Sequence, residues 1–145
     1  MSINNIIDQL KRDEGFRSTV YKDQFGKRTI GYGHNLDAHP VPDYTTMDET
    51  TGDTVLRADL QPVTYKLVQF LPWTKSIDVV RFGVLQNMGF NMGVEGLVGF
   101  HQMLSLMQRG LFSSAAADMT NSKWYTEVGD RAKRLVTQMI SGIWQ

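Results

Sequence analysis

At Gly15 the chain changes period, and that change limits what it can fold into. From Ile3 to Asp13 the apolar residues Ile3, Ile6, Ile7 and Leu10 follow the i, i+3, i+4, i+7 spacing of one helical face. Ser2 is placed to cap this helix, and Gly15 to stop it at C′. Beyond Gly15, Ser18–Lys22 and Arg28–Gly33 read as two short strands. Asp23-Gln24-Phe25-Gly26 between them is a turn signal, with Gly26 supplying the positive φ of a bulged hairpin. A loop rich in Pro, Asp and Thr spans 37–49, and the rest of the chain returns to helical spacing. Extended structure is therefore confined to a short region near the start.

That region carries chemistry. Glu14 falls at the C-terminal end of the first helix, where the partial negative charge of the last carbonyls disfavours ionisation, so a carboxyl there has a reason to hold its proton. Asp23 follows nine residues on and Thr29 six after that. Two carboxylates and a hydroxyl that converge are the minimum equipment for cutting a glycosidic bond: one carboxyl donates a proton to the leaving oxygen, and the other stays ionised. By strand periodicity Thr29, Gly31 and Gly33 share a face, and two glycines there leave a strip of bare backbone that a sugar ring could approach. Each residue also has a plainer explanation. Glu14 could be a solvated surface group, Asp23 a turn cap, Thr29 a β-branched strand former, and the glycines marks of a bend.

Taken together, Asp13-Glu14-Gly15, Tyr21-Lys22-Asp23, Gly26 and Thr29-Ile30-Gly31-Tyr32-Gly33-His34 resemble the active-site region of the phage-type lysozymes, the family of the T-even phage lysozyme. Asn87-Met88-Gly89-Phe90-Asn91-Met92-Gly93, with Gly96-Leu97 and Gly99-Phe100, resembles the family's central helical segment. Lys123-Trp124-Tyr125, Asp130-Arg131-Ala132-Lys133-Arg134 and Gly142-Ile143-Trp144 resemble its C-terminal segment. The resemblance implies an α+β fold: a small lobe with an antiparallel sheet at about 15–58, and a mainly helical lobe from about 1–14 and 59–145, with a cleft between. It implies hydrolysis of the β-1,4 bond between N-acetylmuramic acid and N-acetylglucosamine in peptidoglycan, with inversion. Glu14 would be the general acid, while Asp23 and Thr29 would assist the attacking water. Gly33, Phe90 and Asn91 are expected at the saccharide. Lys123 stands where the T-even enzyme carries an arginine, which bears on affinity for cross-linked peptide. Arg131 matches an arginine that reaches the catalytic glutamate, and His34 a histidine that pairs with an aspartate on the long helix, here Asp59.

Composition bounds the alternatives. The chain has 145 residues, 41% hydrophobic, enough for one compact unit split into two lobes. Fifteen basic residues balance fifteen acidic ones, so no basic patch suggests nucleic acid as a partner. There are no cysteines, and His34, His39 and His101 lack ligand spacing, so no metal and no cofactor are expected. The start of the chain lacks the basic and apolar stretches of a secretory signal peptide, and no apolar run is long enough to span a bilayer. A monomeric endolysin made in the host cytoplasm is expected, and the resemblance implies its release through a separate phage membrane pore. A virion component that opens the wall during infection remains open, as do a lytic transglycosylase acting on the same bond and a wall-binding protein without catalysis.

Further along, a helix is expected from about Thr51 to Leu71, bent near Pro62 or starting later, and closed by Pro72. Others are expected over Asp78–Asn91, Glu95–Gln108 and Leu111–Asn121, with Trp124-Tyr125 on a brief turn and Asp130 capping a last helix to about Ile140. Met88, Met92, Met103, Met107, Met119 and Met139 read as core filling.

Overall fold

The computed structural model describes residues 2–145. Helix α1 covers Ile6–Glu14, and strands β1 (Arg17–Lys22), β2 (Arg28–Gly31) and β3 (His34–Asn35) form an antiparallel sheet in that order. The long helix α2 runs Glu49–Phe70, and a 3-10 helix follows at Pro72–Ser76. Then come α3 (Val79–Met92), α4 (Val94–Leu97), α5 (His101–Gln108), α6 (Phe112–Thr120), α7 (Lys123–Val128) and α8 (Asp130–Ser141). A small antiparallel sheet near the start and helices through the rest make this an α+β, lysozyme-like fold. The chain divides into two compact units: a sheet unit, Ile7–Pro62, and a helical unit of Val63–Gln145 with the residues up to Ile6.

In the sheet unit, Gly15 ends α1 as its position in the sequence suggests. Its φ is +69°, and its N–H bonds the Lys11 carbonyl at 3.0 Å. Helix α1 begins at Ile6 instead of Ile3, so Ser2 is not its cap; the Ser2 hydroxyl accepts from Asn4 Nδ2 at 3.1 Å instead. Asn4 and Asn5 explain the late start, because short amide side chains compete with helical backbone hydrogen bonds. Strand β2 stops at Gly31, two residues sooner than the alternation suggested. Gly31 and Gly33 both adopt positive φ (+65° and +73°), and the backbone folds over between them so that Ile30 pairs with His34. The bare strip expected on one strand face therefore does not form. A Cβ on Gly31 would lie 2.6 Å from Met47 Sδ, so the space beside it is filled. Ile30, Leu36, Met47 and Val55 make the buried core here, with Tyr44 against them.

Helix α2 starts at Glu49, before the expected Thr51, because Asp48 caps it: the Asp48 carboxylate accepts from the Thr51 N–H at 2.7 Å. The same hydrogen bonds hold the Asp48 carboxyl below its usual pKa. Pro62 lies inside the helix without ending it. The ring removes the donor that the Ala58 carbonyl would use, but Ala58 and Pro62 are both exposed, so water can take its place.

The helical unit is built around Leu67, Val84, Leu85, Met88, Leu97, Met103, Met107, Met119, Leu135 and Met139, none more than 1% exposed. Five of the six methionines named above are thus core filling, and Met92 is half-buried against them. Helix α6 packs on α5 and α8. The single helix expected over Glu95–Gln108 is two, α4 and α5. Gly99 and Phe100 turn back on the Gly96 and Leu97 carbonyls at 3.2 and 3.0 Å, and glycines at 96 and 99 weaken any continuous helix. Trp124-Tyr125 lies on α7 instead of a turn, since the Ser122 hydroxyl caps that helix by accepting from the Tyr125 N–H at 3.1 Å. Asp130 is the first residue of α8, not its cap, and Gly129 (φ +73°) precedes it. Arg81 secures the other end of α8. It donates to the Met139 and Ile140 carbonyls at 2.8 and 2.9 Å, and its guanidinium lies 4.1 Å from the centre of the Phe112 ring.

Candidate active site

The sheet unit holds Glu14, Asp23, Thr29, Gly33, His34 and Asp59, and the helical unit holds Phe90, Asn91, Lys123 and Arg131.

Glu14 is the last residue of α1. Its carboxyl group passes directly against Gly33: a Cβ there would lie 3.0 Å from Glu14 Cδ and 3.2 Å from Cγ, and closer still to Oε1. The tight turn between β2 and β3 thus brings a residue without a side chain to a place where a side chain would displace Glu14.

Asp23 heads the β1–β2 turn. Its Oδ1 accepts from the Phe25 and Lys27 N–H groups, both at 2.9 Å, while its N–H bonds the Lys27 carbonyl at 2.9 Å. The plain turn-capping role is therefore real, but it uses one oxygen. Oδ2 has no hydrogen-bond partner among the described residues. Thr29 is 4% exposed, and its hydroxyl donates to the Lys27 carbonyl at 2.9 Å. One residue, Lys27, therefore fixes both side chains, through its N–H and its carbonyl.

Tyr21 links these groups. It pairs directly across the strands with Thr29. Burial raises its phenol pKa, the charges of Glu14 and Asp23 raise it further, and Arg17 opposes them. Both carboxylates thus lie within electrostatic reach of one side chain. Sequence reading passed over Tyr21 as a functional residue, although it stood in the Tyr21-Lys22-Asp23 motif. The sequence held no sufficient signal: a turn over 23–26 would set residue 21 opposite 28, and it is the turn closed by Asp23 and Lys27 that sets it opposite 29.

In β3, His34 Nδ1 lies 2.7 Å from Asp59 Oδ2 on α2. The imidazole is 6% exposed, stacks on His39 with ring centres 5.6 Å apart, and meets Tyr44 edge-on at 6.0 Å. Its Nε2 is buried without a hydrogen-bond partner. Nearby, Asp53 takes Arg57 Nε at 2.8 Å and Lys11 Nζ at 2.6 Å, which pull its carboxyl down to about 2.

In the helical unit Phe90 is half-buried and Asn91 exposed on α3. The Asn91 carbonyl oxygen accepts from the Trp124 indole at 3.4 Å, and Trp124 meets Phe100 edge-on at 6.2 Å. Lys123 is solvent-exposed, its ammonium 3.5 Å from Glu127. Arg131 Nε donates to Asn87, which is fully buried, at 2.8 Å. Among the described residues no group of three His, Asp or Glu side chains could hold a metal ion, and no helix is long and apolar enough to cross a membrane.

The chain is 29% identical to the pre-baseplate central spike protein Gp5 of Enterobacteria phage T4, over 95% of its own length but only 28% of the spike protein's. It is 27% identical to Probable T4-type lysozyme 1 of Dictyostelium discoideum, over 97% of this chain and 96% of that protein. Probable T4-type lysozyme 2 of the same organism is also 27% identical, with the same coverage. The family model for phage lysozyme matches residues 11–139, which takes in every candidate residue above, and the chain belongs to the phage lysozyme family.

Proposed function

We propose that this chain is a muramidase, hydrolysing the β-1,4 bond between N-acetylmuramic acid and N-acetylglucosamine in bacterial peptidoglycan. One observation supports the reading: Tyr21 pairs directly with Thr29 and lies within electrostatic reach of both Glu14 and Asp23, so the two carboxylates and the hydroxyl neighbour one side chain. Glu14 donates its proton to the leaving oxygen. Asp23 stays ionised and accepts a proton from the attacking water through Oδ2, and Thr29 helps hold that water. In this reading the configuration inverts, because water, not Asp23, attacks the anomeric carbon. Phe90, Asn91 and Lys123 are the proposed saccharide and peptide contacts of the helical unit, and the protein acts as a monomer.

The test is the turbidity of a purified peptidoglycan suspension, with reducing ends counted, for the wild type and Glu14→Gln. Clearing with new reducing ends, lost in the variant, supports the muramidase. Clearing with anhydro-muramic products would identify a lytic transglycosylase instead, and fragment binding without clearing a wall-binding protein.

The biological role we propose is host lysis as an endolysin that crosses the membrane through a separate phage pore. Production in a bacterium, with and without a pore-forming protein, tests it: lysis only when both are present is the expected result. Likeness to a phage spike protein favours a second reading, a virion component that opens the wall during infection. Recovery of the chain from purified particles would decide for it.

A further inference from the structure

The two groups proposed to hold the attacking water, Asp23 and Thr29, can only accept from it, and the inference drawn here rests on that reading. Asp23 Oδ1 is held by two amides, so Oδ2 is the oxygen left for water, and as a carboxylate oxygen it can only accept. The single proton of Thr29 goes to the Lys27 carbonyl, so toward water its oxygen can also only accept. A water whose two protons are taken by Asp23 and Thr29 keeps two lone pairs. One must point at the anomeric carbon, and a donor to the other would fix that direction. Glu14 is not available for this, because its proton is committed to the leaving oxygen.

Tyr21 has the placement to be that donor. Directly opposed residues of an antiparallel pair lie on the same face with Cβ atoms about 4.5–5.5 Å apart, and Tyr21 opposes Thr29. The register slips between Arg17 and Tyr21, and this irregularity brings the Arg17 guanidinium to 4.5 Å from the centre of the Tyr21 ring, holding the ring from one side. The Tyr21 hydroxyl has no hydrogen-bond partner among the described residues, although the residue is half-buried. Burial and the two neighbouring carboxylates keep the phenol protonated, so it remains a donor where carboxylates titrate. A tyrosine serving only to pack the hairpin would need its ring and not its hydroxyl.

We propose that Tyr21 is a further catalytic residue: its hydroxyl donates to the free lone pair of the attacking water and so turns the other lone pair toward the anomeric carbon. No bond to Tyr21 forms and no proton leaves it.

Tyr21→Phe keeps the ring and the Arg17 contact and removes one oxygen. We expect kcat to fall about tenfold, the effect of one neutral hydrogen bond, with KM and Tm unchanged. A pH profile supplies a readout that a displaced site would move. In this reading Asp23 and Glu14 set its two limbs, so Tyr21→Phe should lower the kcat plateau and leave both limbs where the wild type has them. Wild-type kcat in Tyr21→Phe, a loss confined to KM, a loss that tracks Tm, or limbs that move with the substitution would each overturn the assignment. A wild type that releases no reducing ends would overturn the hydrolase reading itself, and this assignment with it, before any variant is compared.

Discussion

Gly33 carries only a hydrogen where the carboxyl group of Glu14 passes, and a Cβ at that position would lie 3.0 Å from Glu14 Cδ. Gly33→Ala therefore has two faults. Its φ of +73° costs an L-residue about 1–2 kcal/mol, and the methyl pushes the Glu14 carboxyl out of place. The second fault is the larger for function: a displacement of about 1 Å at a reacting group can cost about a hundredfold in rate. We expect Gly33→Ala to remain folded with a lowered Tm and to lose about two orders of magnitude in reducing-end release. Near wild-type activity would mean that the position of Glu14 does not depend on Gly33.

Asp23 can be divided experimentally. Asparagine keeps a carbonyl oxygen for the Phe25 and Lys27 amides but cannot accept a proton from water. Asp23→Asn should hold its urea midpoint close to the wild type while losing about a hundredfold or more in kcat, the usual contribution of a general base. Asp23→Ala should lose both. Comparing the two variants by denaturation and by turbidity separates the turn from the chemistry.

The contact between His34 and Asp59 is mostly buried, and His34 Nε2 already lacks a partner. Asp59→Ala would leave Nδ1 without one as well, at about 1–3 kcal/mol for a buried unsatisfied group. Asp59→Asn keeps an acceptor and should cost less. Urea denaturation of the two variants checks the order, and equal stability would show that the contact contributes little.

Acid sensitivity has a predictable component at Asp53. Arg57 and Lys11 hold its carboxyl down to about 2, whereas an unfolded chain would titrate it near about 3.9. A depressed folded-state value contributes stability that is fully present above about pH 4 and is lost as the pH falls toward 2. Between those limits the urea midpoint of the wild type should fall more steeply than that of Asp53→Asn. Parallel curves would mean that the pairing is too screened by solvent to matter.

How much of this was legible in the sequence depended on whether a signal was local. The stop at Gly15, the turn at Asp23–Gly26 and the buried methionines were read correctly because each follows from a spacing or a backbone requirement within a few residues. The early end of β2 was missed because alternation cannot reveal that Gly31 and Gly33 both take positive φ, which turns a longer strand into a second hairpin. Helix α2 was expected to bend or start late because Pro62 cannot donate, but the sequence does not show that the freed carbonyl would face water. At Ser122 the misreading was a missed cap, which made a helix look like a turn. Within the site, residue types and spacing named Glu14, Asp23 and Thr29, but not the contact of Glu14 with Gly33 or the place of Tyr21 opposite Thr29. Both depend on strand register, which only the folded chain fixes.

The turn that grips Asp23 has a consequence for when its conformational entropy is lost. Two amides from the hairpin hold one oxygen, so the carboxylate has a single orientation before any sugar arrives. Its rotational freedom is given up during folding, together with that of the turn, and not again on meeting substrate. Binding is then free of an ordering cost that a solvent-facing aspartate would impose each time. Rigidity at the hairpin tip, where Gly26 takes a positive φ, is in this sense preorganisation of the proposed proton acceptor.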